Sequence, residues 1–330
     1  MIRFATVGTG FITDKFIEDL KQVKGCTLQA VYSRTEERAK TLADKLAPGI
    51  ALYTDLTALA QAPDIDAVYI ASPNSLHGPQ AKLFLQAGKH VLVEKAAASN
   101  ARELEEVLQL AKENNLVFME AMKSLTMPAY LLLKETLPRI GQIRKFAMTY
   151  CQYSSRYDRH KKGEFVNTFH KEFSNGGLLD IGIYGVYPVL DLFGPPLAVK
   201  AVATLLPQGG IDGSGTVLFQ YPHMEGSVAY SKISQSLVPS EIQGELGSLL
   251  IDRIGDPKEL TLILRDGTRE VLRPDTLPQD MSYEIQEFVS VITEGRPAST
   301  VNTWELALRV HQTLDSIRQQ IGLTYPADEA

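Results

Sequence analysis

"MIRFATVGTGFITDKFIEDLKQV" (residues 1–23) opens the chain. The apolar run IRFATVG ends at Gly8, and GFITDKFIEDLKQV continues with helical spacing, so a strand passes into a helix through Gly8-Thr9-Gly10-Phe11-Ile12-Thr13. Two glycines let a backbone approach a pyrophosphate, and the helix start offers free N–H groups and positive dipole. A bare GxG is common in ordinary turns, and Thr13 stands where the usual third glycine would be. Its place after the first strand makes this turn a candidate dinucleotide site, with Gly8, Thr9, Gly10, Phe11 and Ile12 as its contacts.

The same alternation continues outward. TLQAVYS, ALY, DAVYIAS, HVLVEK and LVFME read as strands, separated by helical stretches such as TEERAKTLADKL and NARELEEVLQLAKENN. Short β-rich runs between helices predict a doubly wound parallel sheet, a Rossmann unit ending near Met122. After it, PAYLLLKETLPRIG leads into QIRKFAMTYCQYS, followed by the apolar helix GGLLDIGIYGVYPVLDLF. Extended runs then follow without helices between them: LAVKAVATLL, SGTVLFQYP, EGSVAYSKI, SEIQGELG and ELTLILRDGTREVLR. With DGSG and RDGT as turns, they predict a large, mostly antiparallel open sheet. Two helices, SYEIQEFVSVITEG and TWELALRVHQTLDSIRQQIG, end the chain. The expected division is residues 1–122, dinucleotide-binding, and 123–330, an α+β substrate and oligomerisation domain.

Length agrees with two domains, since 330 residues is about twice the ~150 expected of one. Apolar content of 44% with 22% charged residues is that of a soluble globular protein. A formal charge of −6 argues against a nucleic-acid surface. Cys26 and Cys151 are far apart and build neither a disulfide framework nor a zinc site. The histidines lack ligand spacing, so no metal is expected. There is no continuous run of ~18 apolar residues and no signal-peptide pattern, so the expectation is a cytoplasmic enzyme or binding protein without membrane or nucleic-acid partners.

Several residues fall where open α/β sheets bind ligands, at the carboxyl ends of strands. After the second strand stand Ser33 and Arg34, with Arg38 one turn on. An acidic residue there would hold the ribose of NAD; a hydroxyl and a guanidinium suit the 2′-phosphate of NADP, which is therefore the preferred cofactor. The other strand ends bring SPNSLH, with Ser72, Pro73, Asn74 and His77, and the pair Glu94-Lys95. Alone, Lys95 would read as a solvated lysine and His77 as a packing histidine.

Taken together, GTGFI, SPNSLH, the Glu-Lys pair and GGLLDIGIY resemble the glucose–fructose oxidoreductase, inositol dehydrogenase and rhizopine-catabolism (Gfo/Idh/MocA) family, over essentially the whole chain. The resemblance implies that Lys95 contacts both the substrate hydroxyl and the nicotinamide. In that family Pro normally follows the lysine; here it is Ala96, and the Lys95–Ala96 peptide is expected to be trans. The family motif Asp-x-Gly-x-His reads Asp180-Ile181-Gly182-Ile183-Tyr184, with tyrosine for histidine. That substitution, with MEAMKSLTMPAY, looks like the branch of glucose–fructose oxidoreductase and dimeric dihydrodiol dehydrogenase.

Asp180, Tyr184, Tyr187 and Asp191 share one stripe of an otherwise apolar helix. A phenol titrates near ~10 and is a poor proton acceptor at neutral pH, unless a cation such as Lys95 stabilises the tyrosinate. The resemblance thus assigns Tyr184 as acid/base, Lys95 as its partner, and Asp180 as a group that orients the lysine or accepts from the hydroxyl. The ordinary alternative is a buried Tyr–Asp bond that only holds the helix. The basic stretch YSSRYDRHKKGEF reads as a solvated loop, or as a lid bringing Arg156, Tyr157 or His170 to substrate.

The expected activity is NAD(P)-dependent hydride transfer at a secondary alcohol or carbonyl of a sugar, polyol or vicinal diol. A non-catalytic dinucleotide sensor on the same scaffold is the competing reading. Strands between Leu197 and Arg273 present two usable faces, one of them open through Val202, Thr204, Val217 and Phe219 or their neighbours. This open face predicts a homodimer or a dimer of dimers.

Overall fold

In the computed structural model, which describes residues 1–329, the opening run Ile2–Val7 is strand β1 and Phe11–Leu20 is helix α1. The series continues as β2 (Cys26–Tyr32), α2 (Glu36–Leu46), β3 (Ala51–Tyr53), α3 (Leu56–Ala60) and β4 (Ala67–Ile70). It closes with α4 (His77–Gln86), β5 (His90–Glu94), α5 (Ala101–Glu113) and β6 (Phe118–Ala121). These strands form one sheet in the order β3-β2-β1-β4-β5-β6, and every neighbouring pair is parallel. The order reverses between β1 and β4, which opens a crevice beyond their carboxyl ends.

This first compact unit comprises Met1–Lys123 together with Leu277–Trp304. The returning segment contributes α9 (Ser282–Thr293), whose Ile285, Phe288 and Val289 follow the i, i+3, i+4 spacing of one helix face. That face enters the core around Phe4 and Phe16. Phe288 lies 5.8 Å from Phe4, and Phe16 stacks on Tyr69 at 3.7 Å. Asn302 and Trp304 fasten the end of the segment, donating to the carbonyls of Glu120 (2.7 Å) and Phe118 (2.9 Å).

The second unit holds Ser124–Thr276 and residues from Glu305 onward. Its helices are α6 (Pro128–Thr136), α7 (Tyr157–Lys161), α8 (Ile183–Phe193) and α10 (Trp304–Ile321), the last of which begins at the unit boundary. Its strands are β7 (Ile143–Cys151), β8 (Ala198–Leu206), β9 (Ile211–Gln220), β10 (Glu225–Ser231), β11 (Ser240–Gly244), β12 (Gly247–Ile251), β13 (Leu260–Leu264) and β14 (Arg269–Leu272). They form a sheet in the order β14-β13-β12-β11-β7-β10-β9-β8, antiparallel except for the parallel pair β7–β10.

Three expectations need adjusting. DGSG is not a turn: Asp212–Gly215 lies inside β9, and the reversal falls at Pro207–Gly210, where Gly209 and Gly210 adopt positive φ. SEIQGELG and the residues after it make the hairpin β11–β12, which adds a strand. On β9 the period of two puts Val217 and Phe219 on the packed face, where both are buried. The open face carries Val202 (71% exposed), Thr204 and the neighbour Leu218 (54%) instead. The stretch Lys171–Phe193 is long and apolar enough to cross a membrane by length and composition alone, and most of its apolar window is buried inside the protein.

Candidate active site

At the carboxyl edge of the first sheet, Gly8 has a φ of +123°, and a Cβ there would lie 2.7 Å from the Ala71 carbonyl oxygen. Only glycine suits that combination of conformation and close approach. A Cβ on Gly10, by contrast, would meet no described atom within 4 Å, and no side chain caps α1 there. The turn is therefore an open cradle at a helix start, with unclaimed N–H groups suited to a phosphate. Phe11 is exposed and Ile12 half-buried beside it, while Thr13 is buried and faces the interior.

Ser33 is buried at the end of β2, its N–H donating to the Tyr53 carbonyl (3.1 Å). Arg34 and Arg38 are exposed beyond it. At the end of β4, the Ser72 hydroxyl donates to Gln80 Oε1 (2.7 Å), and Pro73 and Asn74 are half-buried. His77 is buried, with Nδ1 2.8 Å from the Ala96 carbonyl oxygen and Nε2 2.7 Å from that of Ser72. Its ring thus tethers the loop after β4 to the loop after β5. Burial pushes the imidazole below its ordinary range, against the two carbonyls that favour its charged form.

Lys95 follows β5 directly and is half-buried. The Lys95–Ala96 peptide is cis, which overturns the trans expectation. The flanking backbone is held on both sides: Ala96 through its carbonyl at His77, and Ala97 through its N–H, which donates to Glu120 Oε1 (2.8 Å). The Tyr69 hydroxyl donates to Glu94, whose carboxyl burial pushes up.

Behind this pair lies a group of charges with no sequence signal, because half of it returns from far along the chain. Asp280 bridges Lys15 (2.6 Å) and Lys123 (2.8 Å). Burial raises its carboxyl, but the two ammonium groups outweigh that and hold it low. Glu284, on α9, is pushed well above the usual carboxylate range by burial, and then by the charge of Glu94.

In the second unit, the polar residues on the stripe of the apolar helix differ in burial and partners. Leu178–Gly182 forms a π turn, and α8 follows from Ile183. Tyr187 is fully buried, and Asp191 accepts from the Tyr130 hydroxyl (2.6 Å) and from Lys134 (3.0 Å), fastening α8 to α6. Asp180 and Tyr184 remain half-buried at the start of the helix. Single-turn π segments frequently mark functional positions. Buried Asp212 secures this one, accepting the Leu178 N–H on Oδ2 at 2.8 Å; burial pushes its carboxyl up.

Three further residues border Asp180 and Tyr184, and reading the sequence did not single them out. Lys232, just past β10, lies 3.1 Å from Asp180 Oδ2. Tyr150 meets the Tyr184 ring, and its hydroxyl donates to Gln152 Oε1 (3.1 Å). A Cβ on Gly255 would lie 2.6 Å from Tyr150 Cε1 and 3.3 Å from Tyr184 Cγ.

The basic stretch is largely occupied with itself. Tyr157 stacks on Phe169 at 5.6 Å, and His160 on the same ring at 4.7 Å. His170 lies against Phe165 at 4.5 Å and 3.6 Å from Glu172, while Arg156 is exposed.

Residues 2–122 match the family model GFO_IDH_MocA, described as an oxidoreductase family with an NAD-binding Rossmann fold. Residues 136–250 match the GFO/IDH/MocA C-terminal domain. The chain is 47% identical over 331 aligned positions to scyllo-inositol 2-dehydrogenase (NADP(+)) of Bacillus subtilis, covering 100% of both. It is 29% identical to trans-1,2-dihydrobenzene-1,2-diol dehydrogenase of Mus musculus, covering 99% of each. Among solved structures, a 3-ketoreductase from Actinomadura kijaniata in complex with NADP and TDP-benzene superposes with a TM-score of 0.87. At 23% identity, covering 97% of this chain and 98% of that one, it attests the fold.

Proposed function

Because the chain belongs to the GFO/IDH/MocA family of NAD(P)-dependent oxidoreductases, we propose that it is an NADP-preferring dehydrogenase of secondary hydroxyls on a polyol such as an inositol, or on a trans-vicinal diol. The observation that carries the reading is the exposure along the helix stripe: Asp180, with 35% of its side chain exposed, and Tyr184 are half-exposed at the helix start, whereas Tyr187 is buried and Asp191, 14% exposed, lies against Tyr130 and Lys134.

The cradle at Gly8, Thr9, Gly10, Phe11 and Ile12 fits a pyrophosphate, and Ser33, Arg34 and Arg38 offer a hydroxyl and two guanidinium groups for a 2′-phosphate. Ser72, Pro73, Asn74, Glu94 and Lys95 supply the nicotinamide end of the same sheet edge, with His77 holding their loops together. When bound, the dinucleotide supplies the acceptor or donor of the hydride. The protein's own part is the proton. Tyr184 takes it from the substrate hydroxyl, or returns it in reduction. The Lys95 ammonium stabilises the phenolate form, and Asp180 accepts from a substrate hydroxyl and fixes its direction. Arg156, Tyr157 or His170 offers a substrate contact from the basic stretch.

Two unpaired cysteines fit a reducing cytoplasm. The exposed Val202 and Leu218 on the open sheet face support pairing of two chains across that face. The test is a panel of inositols, sugars and diols assayed for reduction of NADP and NAD at alkaline pH. Turnover of at least one cyclic polyol or diol with NADP is expected; none by the intact protein, with tight NADPH binding retained, would defeat the reading.

A further inference from the structure

Lys232 is 1% exposed, yet it carries an ammonium. Burying such a group is costly unless its N–H groups and its charge find partners. Its Nζ donates to the Thr168 carbonyl (2.6 Å), sits 3.1 Å from Asp180 Oδ2, and lies 4.4 Å from the centroid of the Phe169 ring. An ammonium has three N–H groups and no acceptor, so these three contacts account for it.

The other titratable groups facing it are Asp212 from β9 and His160 from α7. Burial pushes the Asp212 carboxyl up, with the Lys232 charge acting against it, and burial pushes the His160 imidazole down. Asp180, with 35% of its side chain exposed, is the carboxylate within ion-pair distance of the buried ammonium.

We propose that Lys232 is a positioning residue for the reaction, holding Asp180 ionised and in place while tying it to the segment around Thr168 and Phe169. The inference rests on Asp180 belonging to the reaction site. The tie has a mechanical side. Phe169 receives the ammonium on its face and carries the stacked rings of His160 and Tyr157, so the seating of that aromatic segment is transmitted to the carboxylate.

Lys232→Gln tests this, because glutamine keeps a donor for the Thr168 carbonyl and removes the charge. Made alone, it should lower kcat on a polyol substrate by roughly 10- to 100-fold, the cost of a misplaced reacting group. NADPH affinity should be unchanged. Without its cation the Asp180 carboxyl becomes easier to protonate, so the acidic limb of the pH–rate profile should move to higher pH. In an Asp180→Asn background, Lys232→Gln should cost nothing more, because residues acting as a unit are not additive. Multiplying losses in the double variant, or an unmoved acidic limb in the single one, would overturn the proposal. Should Lys232→Gln fail to fold, Phe169→Leu removes the ring face and keeps the apolar volume; it should lower kcat and displace the same limb, and an unchanged profile counts against the tie. A parent protein that oxidises no polyol would defeat the dehydrogenase reading itself. Carbon-13 NMR titration of Asp180 would then decide Lys232 alone: an upward move in Lys232→Gln supports it, and none refutes it.

Discussion

The Tyr184 ring meets Tyr150 edge-on, with centroids 5.5 Å apart and planes at 65°. Ring packing and hydroxyl chemistry at Tyr184 can therefore be separated by substitution. Tyr184→Phe keeps the ring and its contact, so thermal stability and NADPH affinity should match the parent. Loss of proton transfer should lower kcat by ~10²–10⁴-fold. Lys95→Met should also remove most turnover, and the double variant should be little worse than either single one. Steady-state kinetics on the best polyol, with melting curves, provide the check. Near-normal turnover by Tyr184→Phe would return the tyrosine to a packing role.

The proposed preference for NADP rests on Arg34, exposed at the end of β2 beside buried Ser33. NADPH should bind at least several-fold more tightly than NADH, since a guanidinium pairs with a phosphate and gains nothing from a bare ribose. Arg34→Ala should erase most of that difference. Fluorescence titration with both dinucleotides measures it; equal dissociation constants in the parent would contradict the assignment.

The proposed self-association across the outer sheet face is open to test by a charge. Leu218→Asp and Val202→Asp place carboxylates on a surface proposed to be covered in the dimer, and neither touches the packed face where Val217 and Phe219 lie. Sedimentation should report a dimer or larger for the parent at micromolar concentration and a single chain for the double variant. A monomeric parent would rule the interface out.

Glu284 offers a pH-dependent test of stability. Its carboxyl is raised well above the ordinary range, chiefly by burial, and its Oε2 is without a hydrogen-bond partner. A folded-state pKa above the unfolded one stabilises fully below the unfolded value, near ~4.3 for glutamate, and that contribution is lost as pH rises through the folded value. Glu284→Gln keeps the shape without the ionisation. Its melting temperature should equal that of the parent near pH 4 and exceed it increasingly toward pH 8. A constant difference across that range would show that the group does not titrate as described.

Much of the fold is legible in the residues because local period and global layer agree. The run Ile2–Val7, the glycine turn and the helix after it read the same way at both levels, as does the alternation down to Ala121. The stripe of Asp180 and Tyr184 is legible for the same reason, although spacings of four and three do not distinguish a π turn from an α turn. What escapes depends on partners remote in sequence. Lys232 ends a strand pattern and reads as a solvated lysine until Thr168, Phe169 and Asp180 are seen around it. Gly213 and Gly215 read as turn residues, yet Gly215 lets Tyr230 come close to β9, where a Cβ would lie 2.4 Å from its hydroxyl, and a Cβ on Gly213 would lie 2.9 Å from Ile233 Cδ1. The cis peptide at Ala96 has no proline to announce it.

The return of Leu277–Trp304 to the first unit has a bearing on how the protein is made. Phe4 and Phe16 emerge from the ribosome among the earliest residues, but Phe288, which packs against Phe4, is synthesised only near the end. At ~5–20 residues per second, the interval is tens of seconds. The nucleotide-binding sheet therefore waits, with part of one face uncovered, while the entire eight-stranded sheet is translated. A gene cut after residue 122 would encode that waiting state permanently. Its product should be prone to aggregate, and co-expression of the missing helix as a separate peptide should be the more effective remedy than a change of solvent.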